Sequence, residues 1–523
     1  MRVFLSDQAQ NRGSSITSST TIAKPLILVT GLAFAIRIYL SLTNFCISGD
    51  GVAYLTMARQ FASGDAIAAL SSVFSPLYPL LIVAMHIVVP DWEIAGNLVS
   101  ALLGTAAVVS IYVMTREAFA RSDIALGAAA LSAIHPAMAA FSASVRTEAG
   151  YIFLITSGVA LMLRGLRTRQ LVSVAASGVL YGLAYLYRIE AIGLPAVAIA
   201  AIIGRGFARH RNEFKRMLAA AAILTIAFLL VASPYLLYLR ASTGRWTVGR
   251  EFTAAMMYGM GDAADDSQEW RRRGYSSHIS PFTPVFAEPK LYLQKVGNSL
   301  VTSSYNFVQA LDPLLTLFLV AGLWWRGRAL LKNFAELFFA GLVLFYFCGF
   351  SLSYTGTRFM IHLVPFTLGW VAFGVESVSA TAARWLGAAG WRLSGATIPF
   401  AVALTLLPRT LWPIGYDMRG IRYAGEAIAR HETKERDVVA VDGRAAWYAH
   451  ARFIALPESR PTDFCGWVRS HANAGYVVLN DRDELRYRVS PATACLRVIG
   501  RYPRGASGHY DLFAFVRTEK AKL

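Results

Sequence analysis

Apolar residues along this chain gather in runs of about twenty, separated by short polar turns, and do not alternate with polar positions as in a soluble fold. Runs long enough to suggest membrane spans lie at 25–45, 94–115, 124–142, 147–163, 172–187, 190–204, 217–239, 300–325, 334–353, 359–380 and 393–413. The stretch 76–90 is shorter and carries Pro76, Pro79 and Pro90, which predicts an interfacial helix. After 413 the pattern changes. β-like segments DVVAVD (437–442), RFIAL (452–456) and YVVLN (476–480) alternate with helical stretches at 419–432 and 462–473. The fold class predicted is an all-α polytopic bundle of about eleven transmembrane helices with a small C-terminal α/β domain.

The turns orient this bundle. Arg116 and Arg121, then Arg164, Arg167 and Arg169, then Arg205, Arg209, Arg211, Lys215 and Arg216 fall on every second turn. Arg326, Arg328 and Lys332, and finally Arg384 and Arg392, continue the series. Asp50, Asp65, Asp91, Glu93, Glu148 and Glu190 occupy the opposite turns. The positive-inside rule then predicts a cytoplasmic N-terminus and, with an odd number of spans, a C-terminal domain outside the cytoplasm. The expected organisation is a transmembrane catalytic unit, 1–413, with outer loops 46–93 and 240–299, and a soluble extracytoplasmic unit, 414–523. The second loop carries an acidic patch (Asp262, Asp265, Asp266) and a basic run, Arg271 to Arg273. The run from Pro25 is longer than a signal-peptide core, so an uncleaved first span is expected, with Arg37 either snorkelling or facing inward.

Composition excludes a soluble enzyme: 55% of residues are hydrophobic and 16% charged, where a soluble chain carries roughly a quarter charged. The net charge of +18 would suit nucleic acid on one continuous face, but here it is divided among turns, so no nucleic-acid partner is expected. Cys465 and Cys495 lie in the outer unit, where a disulfide and two buried thiols both remain open. Cys46, Cys348, His278 and His362 show no metal-ligand spacing.

Ionisable groups at the ends of spans mark candidate chemistry, because charge at membrane depth is costly. Asp50 follows the first span in SGDGVAYLTMARQ; Arg146 and Glu148 lie in SVRTEAGY; Arg188 and Glu190 lie in YRIEAIGLP; Arg358 lies in YTGTRFMIHLVP. All are expected on the outer face. Asp50, Tyr54 and Ala58 share helical spacing, so a helix over 51–62 with Asp50 as a plain N-cap competes with a catalytic Asp50. Arg188 with Glu190 reads equally as a structural ion pair, Arg358 as an interfacial anchor, and Tyr54 and Tyr78 as belt aromatics.

With those motifs in order, the chain resembles the GT-C glycosyltransferases of the family 39 type, which include the protein O-mannosyltransferases and the lipid A aminoarabinose transferase. The matching stretches are Asp50-Gly-Val-Ala-Tyr54, FSPLYPLL (74–81), IHPAMAAFSASVRTEAGYIFL (134–154), RIEAIGLP (188–195), TRFMIHLVPF (357–366) and AAWYAHARFIALPES in the C-terminal unit. The resemblance implies an inverting transfer of a sugar from a polyprenyl-phosphate donor to an extracytoplasmic hydroxyl or phosphate, in the inner membrane of a bacterium. Asp50 would be the general base, and Glu148, the second catalytic candidate, would like Glu190 hold sugar hydroxyls, orient the arginines or help hold a divalent ion. Arg358 and Arg188 would hold the phosphate ahead of Arg146 and Arg250, while Tyr54, Tyr78 and Glu190 bind substrate. A divalent cation is the one cofactor left open. The family often places a second acid after the first; here that position is Gly51.

Two other functions use the same features: an oligosaccharide ligase working on lipid-diphosphate donors, and a transporter or flippase of lipid-linked sugars. A transporter predicts repeated halves and helices interrupted near the midplane, and no internal repeat is visible. Asp481-Arg482-Asp483 imitates a nucleotide-sugar motif but directly follows a predicted strand, which reads as a turn and helix start.

Overall fold

The computed structural model describes residues 17–515 apart from 208–210, 261–279, 281, 389–393, 432–436, 458–460, 490–492, 494 and 507. The acidic patch 262–266, the 271–273 run, Arg209, His278 and Arg392 therefore lie outside the described residues.

A helix stands at each of the eleven expected places. These are α1 (Thr17–Leu42), α4 (Trp92–Phe119), α5 (Ser122–Ile134) with α6 (Pro136–Phe141), α7 (Glu148–Thr168), α8 (Leu171–Tyr187) and α9 (Gly193–Phe207). They continue with α10 (Arg211–Thr243), α12 (Pro289–Leu311) with α13 (Pro313–Arg326), α14 (Phe334–Leu352), α15 (Val364–Ala388) and α16 (Thr397–Thr410). Between them lie α2 (Gly49–Ala62), α3 (Leu77–His86, inside the predicted interfacial stretch) and α11 (Phe252–Met257). Among the described residues, six helices are long and apolar enough to cross a membrane, or seven if α12 and α13 form one span. The protein is thus multi-pass, with a span number that helix length alone does not raise to eleven.

The expected continuous span 300–325 is instead a pair of helices bent by 98°. The cause is local. Asp312 has φ +82°, Pro313 lacks an amide hydrogen, and Asp312 Oδ1 accepts the Leu314 amide at 2.9 Å, so the chain restarts as a new helix. Arg37 faces inward. It is fully buried and donates through Nη1 to Ala33 O at 3.0 Å, with Ala133 O at 3.4 Å.

The C-terminal unit comprises α17 (Arg419–His431), β1 (Asp437–Ala440), α18 (Arg444–Tyr448), β2 (Phe453–Ala455), α19 (Phe464–Ser470), β3 (Ala474–Asn480), α20 (Asp481–Tyr487), β4 (Leu496–Arg504) and β5 (Gly508–Phe515). The sheet order is β2-β1-β3-β5-β4, parallel through β2, β1 and β3 and antiparallel beyond. All six inward and outward positions of β3 from Ala474 to Leu479 are buried, which is why YVVL reads as a continuous apolar run. Cys465 and Cys495 form a disulfide, with Cα atoms 5.8 Å apart. Asp481-Arg482-Asp483 does open a helix: Asn480 and Asp483 make a capping box, and Asp481 accepts from Arg504 at 2.7 Å.

This unit docks on the Asp50 end of the bundle. Tyr448 accepts the Ile47 amide at 2.7 Å and donates to Glu93 Oε1 at 3.2 Å, while the Arg59 guanidinium lies 3.9 Å from the Trp447 ring centre. The first loop is thereby pinned from both sides.

Candidate active site

Asp50 stands in the first turn of α2, and that helix is capped by a different residue. Ser48, in extended backbone, accepts the Gly51 amide on Oγ at 3.0 Å. The Asp50 carboxylate is consequently free for other contacts. Gly51 is tightly enclosed: a Cβ there would lie 2.7 Å from Ile47 Cγ1 and 3.1 Å from Val145 O. The acid that the family often carries at this position has no room in this chain.

The turns that were far apart in sequence meet around Asp50. Arg358, on the short helix Thr357–Met360, donates through Nη1 to Asp50 Oδ2 and through Nε to Glu148 Oε1. Arg188, which ends α8, donates to Thr147 Oγ1 at 2.8 Å and to Glu190 Oε1 at 2.6 Å, and lies 3.6 Å from Glu148 Oε1. Glu148 opens α7 and is wholly buried, so it sits behind the two guanidinium groups and holds both. Its Oε2 has no hydrogen-bond partner among the described residues. The result is an alternating ladder, Asp50–Arg358–Glu148–Arg188–Glu190.

Asp50, Arg358, Arg188 and Glu190 line one cavity of about 710 Å³, and Glu148 does not reach it. The aromatic side of this cavity includes Tyr54, Phe74, Tyr187, Tyr258, Tyr346 and Phe359. Rings with a few convergent polar groups suit a sugar bound through stacking and hydroxyl contacts. Burial pushes the Tyr54 hydroxyl up to about 12, against the pull of Arg358 and Arg188, so it faces the cavity as a neutral donor. Burial alone would weaken the Arg358 charge, yet Glu148 and Asp50 hold it above the ordinary guanidinium value. A cation entering here would meet Asp50 and Glu190 already engaged by arginines.

Besides Glu148, three of the expected site residues stand outside the cavity. Tyr78 is fully buried behind its wall, donating to Gly96 O at 3.2 Å with Ser100 Oγ at 2.8 Å, and packs edge-on against Tyr54. Arg146 lies over the Phe141 ring, 5.1 Å from its centre. Arg250 donates to Ser242 Oγ at 3.0 Å. The cavity instead includes Glu251 and Thr357, each next to an arginine noticed in the sequence, and Tyr346, which lies within an apolar run. Tyr346 donates to Glu190 O at 2.9 Å and steadies the turn that carries Glu190. Nothing in the local pattern distinguished it from a packing tyrosine.

A second cavity, of about 1090 Å³, opens beside the first. It runs between α9 and α14, along Ala196, Ala200 and Gly204 on one side and Phe338 and Gly341 on the other, and ends at Arg167, Arg205 and Lys332. Phe345 lines both cavities.

A family model described as dolichyl-phosphate-mannose-protein mannosyltransferase matches residues 74–238. No curated protein matches the chain in sequence. Among solved structures, ArnT of Cupriavidus metallidurans in its apo state is 15% identical, with a TM-score of 0.58 over 95% of this chain and 98% of its own. The same protein bound to undecaprenyl phosphate gives 0.56 over 94% and 98%, at 15% identity. The oligosaccharyltransferase of Archaeoglobus fulgidus is 14% identical, with a TM-score of 0.59 over 89% of this chain and 70% of its own. The resemblance read from the ordered motifs is borne out to this extent: residues 74–238 match the mannosyltransferase family model, and the chain shares its fold with ArnT and the archaeal oligosaccharyltransferase.

Proposed function

We propose that this membrane protein transfers a sugar from a polyprenyl-phosphate carrier to an acceptor hydroxyl outside the cytoplasm, with inversion at the anomeric carbon. The observation that carries this reading is the convergence of Asp50, Arg358 and Arg188 on one aromatic-lined cavity. In the reaction the acceptor oxygen attacks the anomeric carbon as its proton passes to the Asp50 carboxylate. The bond from that carbon to the phosphate oxygen breaks, and the carrier departs as a phosphate with one more negative charge. Such a base contributes 10²–10⁴-fold in rate. The departing charge needs cations rather than an acid, and planar guanidinium groups bind phosphate oxygens in pairs. Arg358 and Arg188 fill that role.

The resting geometry adds an ordering of events. Arg358 is shared between Asp50 and Glu148, so an incoming phosphate competes with Asp50 for Nη1. Drawing Arg358 toward the phosphate frees Asp50 to accept a proton only once the donor is bound. Glu148 keeps its grip on Nε, and is a positioning residue.

The carrier's prenyl chain fits the second cavity, because α9 and α14 line both spaces and the walls between them are apolar. ArnT, which shares the fold, has been crystallised with undecaprenyl phosphate. Residues 1–413 would form the catalytic unit and 414–523 an extracytoplasmic unit beside the acceptor entrance, with the N-terminus cytoplasmic in a bacterial inner membrane. The fold shared with an oligosaccharyltransferase keeps a ligase in view. The test is transfer by purified protein from radiolabelled polyprenyl-monophosphate sugars, run beside lipid-diphosphate oligosaccharides. Turnover of the diphosphate donors alone assigns the ligase instead.

A further inference from the structure

We propose that Glu484, His509 and Asp511 form a binding site for a divalent transition-metal ion, Zn²⁺ first, in the C-terminal unit and separate from the Asp50 cavity. His509 and Asp511 are two apart on β5, so their side chains leave the same face of the strand. Glu484 reaches them from α20, whose preceding strand β3 pairs with β5 at Leu479 opposite Asp511. One ligand atom from each residue falls within 4.8 Å of the others.

The contacts are those of an incomplete site. His509 Nε2 lies 3.8 Å from Glu484 Oε1 and 3.9 Å from Asp511 Oδ1, too far for hydrogen bonds. Ligands held at about 2.1 Å around a tetrahedral zinc ion stand roughly 3.4 Å apart, so closing the two distances from His509 needs only a few tenths of an ångström. Both Glu484 Oε1 and His509 Nε2 are shielded from solvent without a hydrogen-bond partner among the described residues. Leaving two such atoms unsatisfied and facing each other is costly, and a shared cation satisfies both at once.

The third ligand is held in place. Asp511 is fully buried, and Arg501, directly opposite on β4, donates to Oδ1 and Oδ2 at 2.7 Å each. Oδ1 retains a lone pair for the ion while Arg501 fixes the carboxylate plane, as partners behind metal ligands do. One imidazole and two carboxylates suit Zn²⁺ over Ca²⁺ or Mg²⁺, and three protein ligands leave the fourth position to water or an incoming anion.

The test uses the full chain in detergent, purified without a polyhistidine tag and stripped with chelator. Titration with Co²⁺ should give saturable, one-to-one visible absorption that Zn²⁺ displaces. His509→Asn and Glu484→Gln should each weaken binding at least tenfold while the metal-free unfolding temperature stays at the wild-type value. Absence of saturable binding to the wild type, or binding that neither substitution changes, overturns the proposal. Transfer activity at the Asp50 cavity is a separate readout, so its loss or survival bears on the glycosyltransferase reading alone.

Discussion

Arg358 and Asp50, 308 residues apart in the chain, form an ion pair on the wall of one cavity. That pair joins the first loop of the bundle to the turn before α15.

Asp50→Asn should lower transfer by 10²–10⁴-fold, as loss of a positioned base does, while leaving folding unchanged because Ser48 supplies the helix cap. Steady-state transfer rates beside a thermal unfolding curve check both halves. A variant with wild-type turnover would remove Asp50 from the mechanism.

Glu148→Gln separates positioning from catalysis. It takes the charge from a fully buried carboxylate held between Arg358 and Arg188, and disruption of a buried pair costs about 3–5 kcal/mol. Its unfolding temperature in detergent should fall clearly below that of Asp50→Asn. Equal stabilities would show that Glu148 does not organise the arginines.

Arg358→Lys keeps a positive charge but loses the fork that engages two acids through Nε and Nη1. The Michaelis constant for the lipid donor should rise, with weaker competition by free polyprenyl phosphate. If only protein yield drops and donor kinetics are unchanged, Arg358 is an anchor.

Gly51→Asp should not create a second functional acid. Its Cβ would press on Ile47 and the Val145 carbonyl, and overpacking of this kind costs about 1–3 kcal/mol. Even Gly51→Ala should lower the unfolding temperature, and a neutral outcome would show that the α2 turn yields easily.

Reducing the Cys465–Cys495 bond should change mobility on a denaturing gel and destabilise the C-terminal unit. Opening a loop of 30 residues costs about 3.6 kcal/mol in the chain-entropy account. Alkylation of both thiols without prior reductant would contradict the bond.

The sequence by itself determined the membrane character and the placement of helices. Runs of twenty apolar residues cannot be hidden in water, and basic turns recur with a period that helical crossings impose. It also identified Asp50, Glu148, Arg188, Glu190 and Arg358 as a group, because charge beside apolar sequence is expensive enough to stand out. Roles within the group were not legible. Asp50 and Glu148 look alike in a string of letters, and only the fold buries one behind two arginines and turns the other to the cavity. The bend at Asp312, the antiparallel strands β4 and β5, and the cavity tyrosines on α8 and α14 likewise depend on distant partners. Local pattern measures what each segment requires of its surroundings. Only tertiary structure decided which segment meets that requirement.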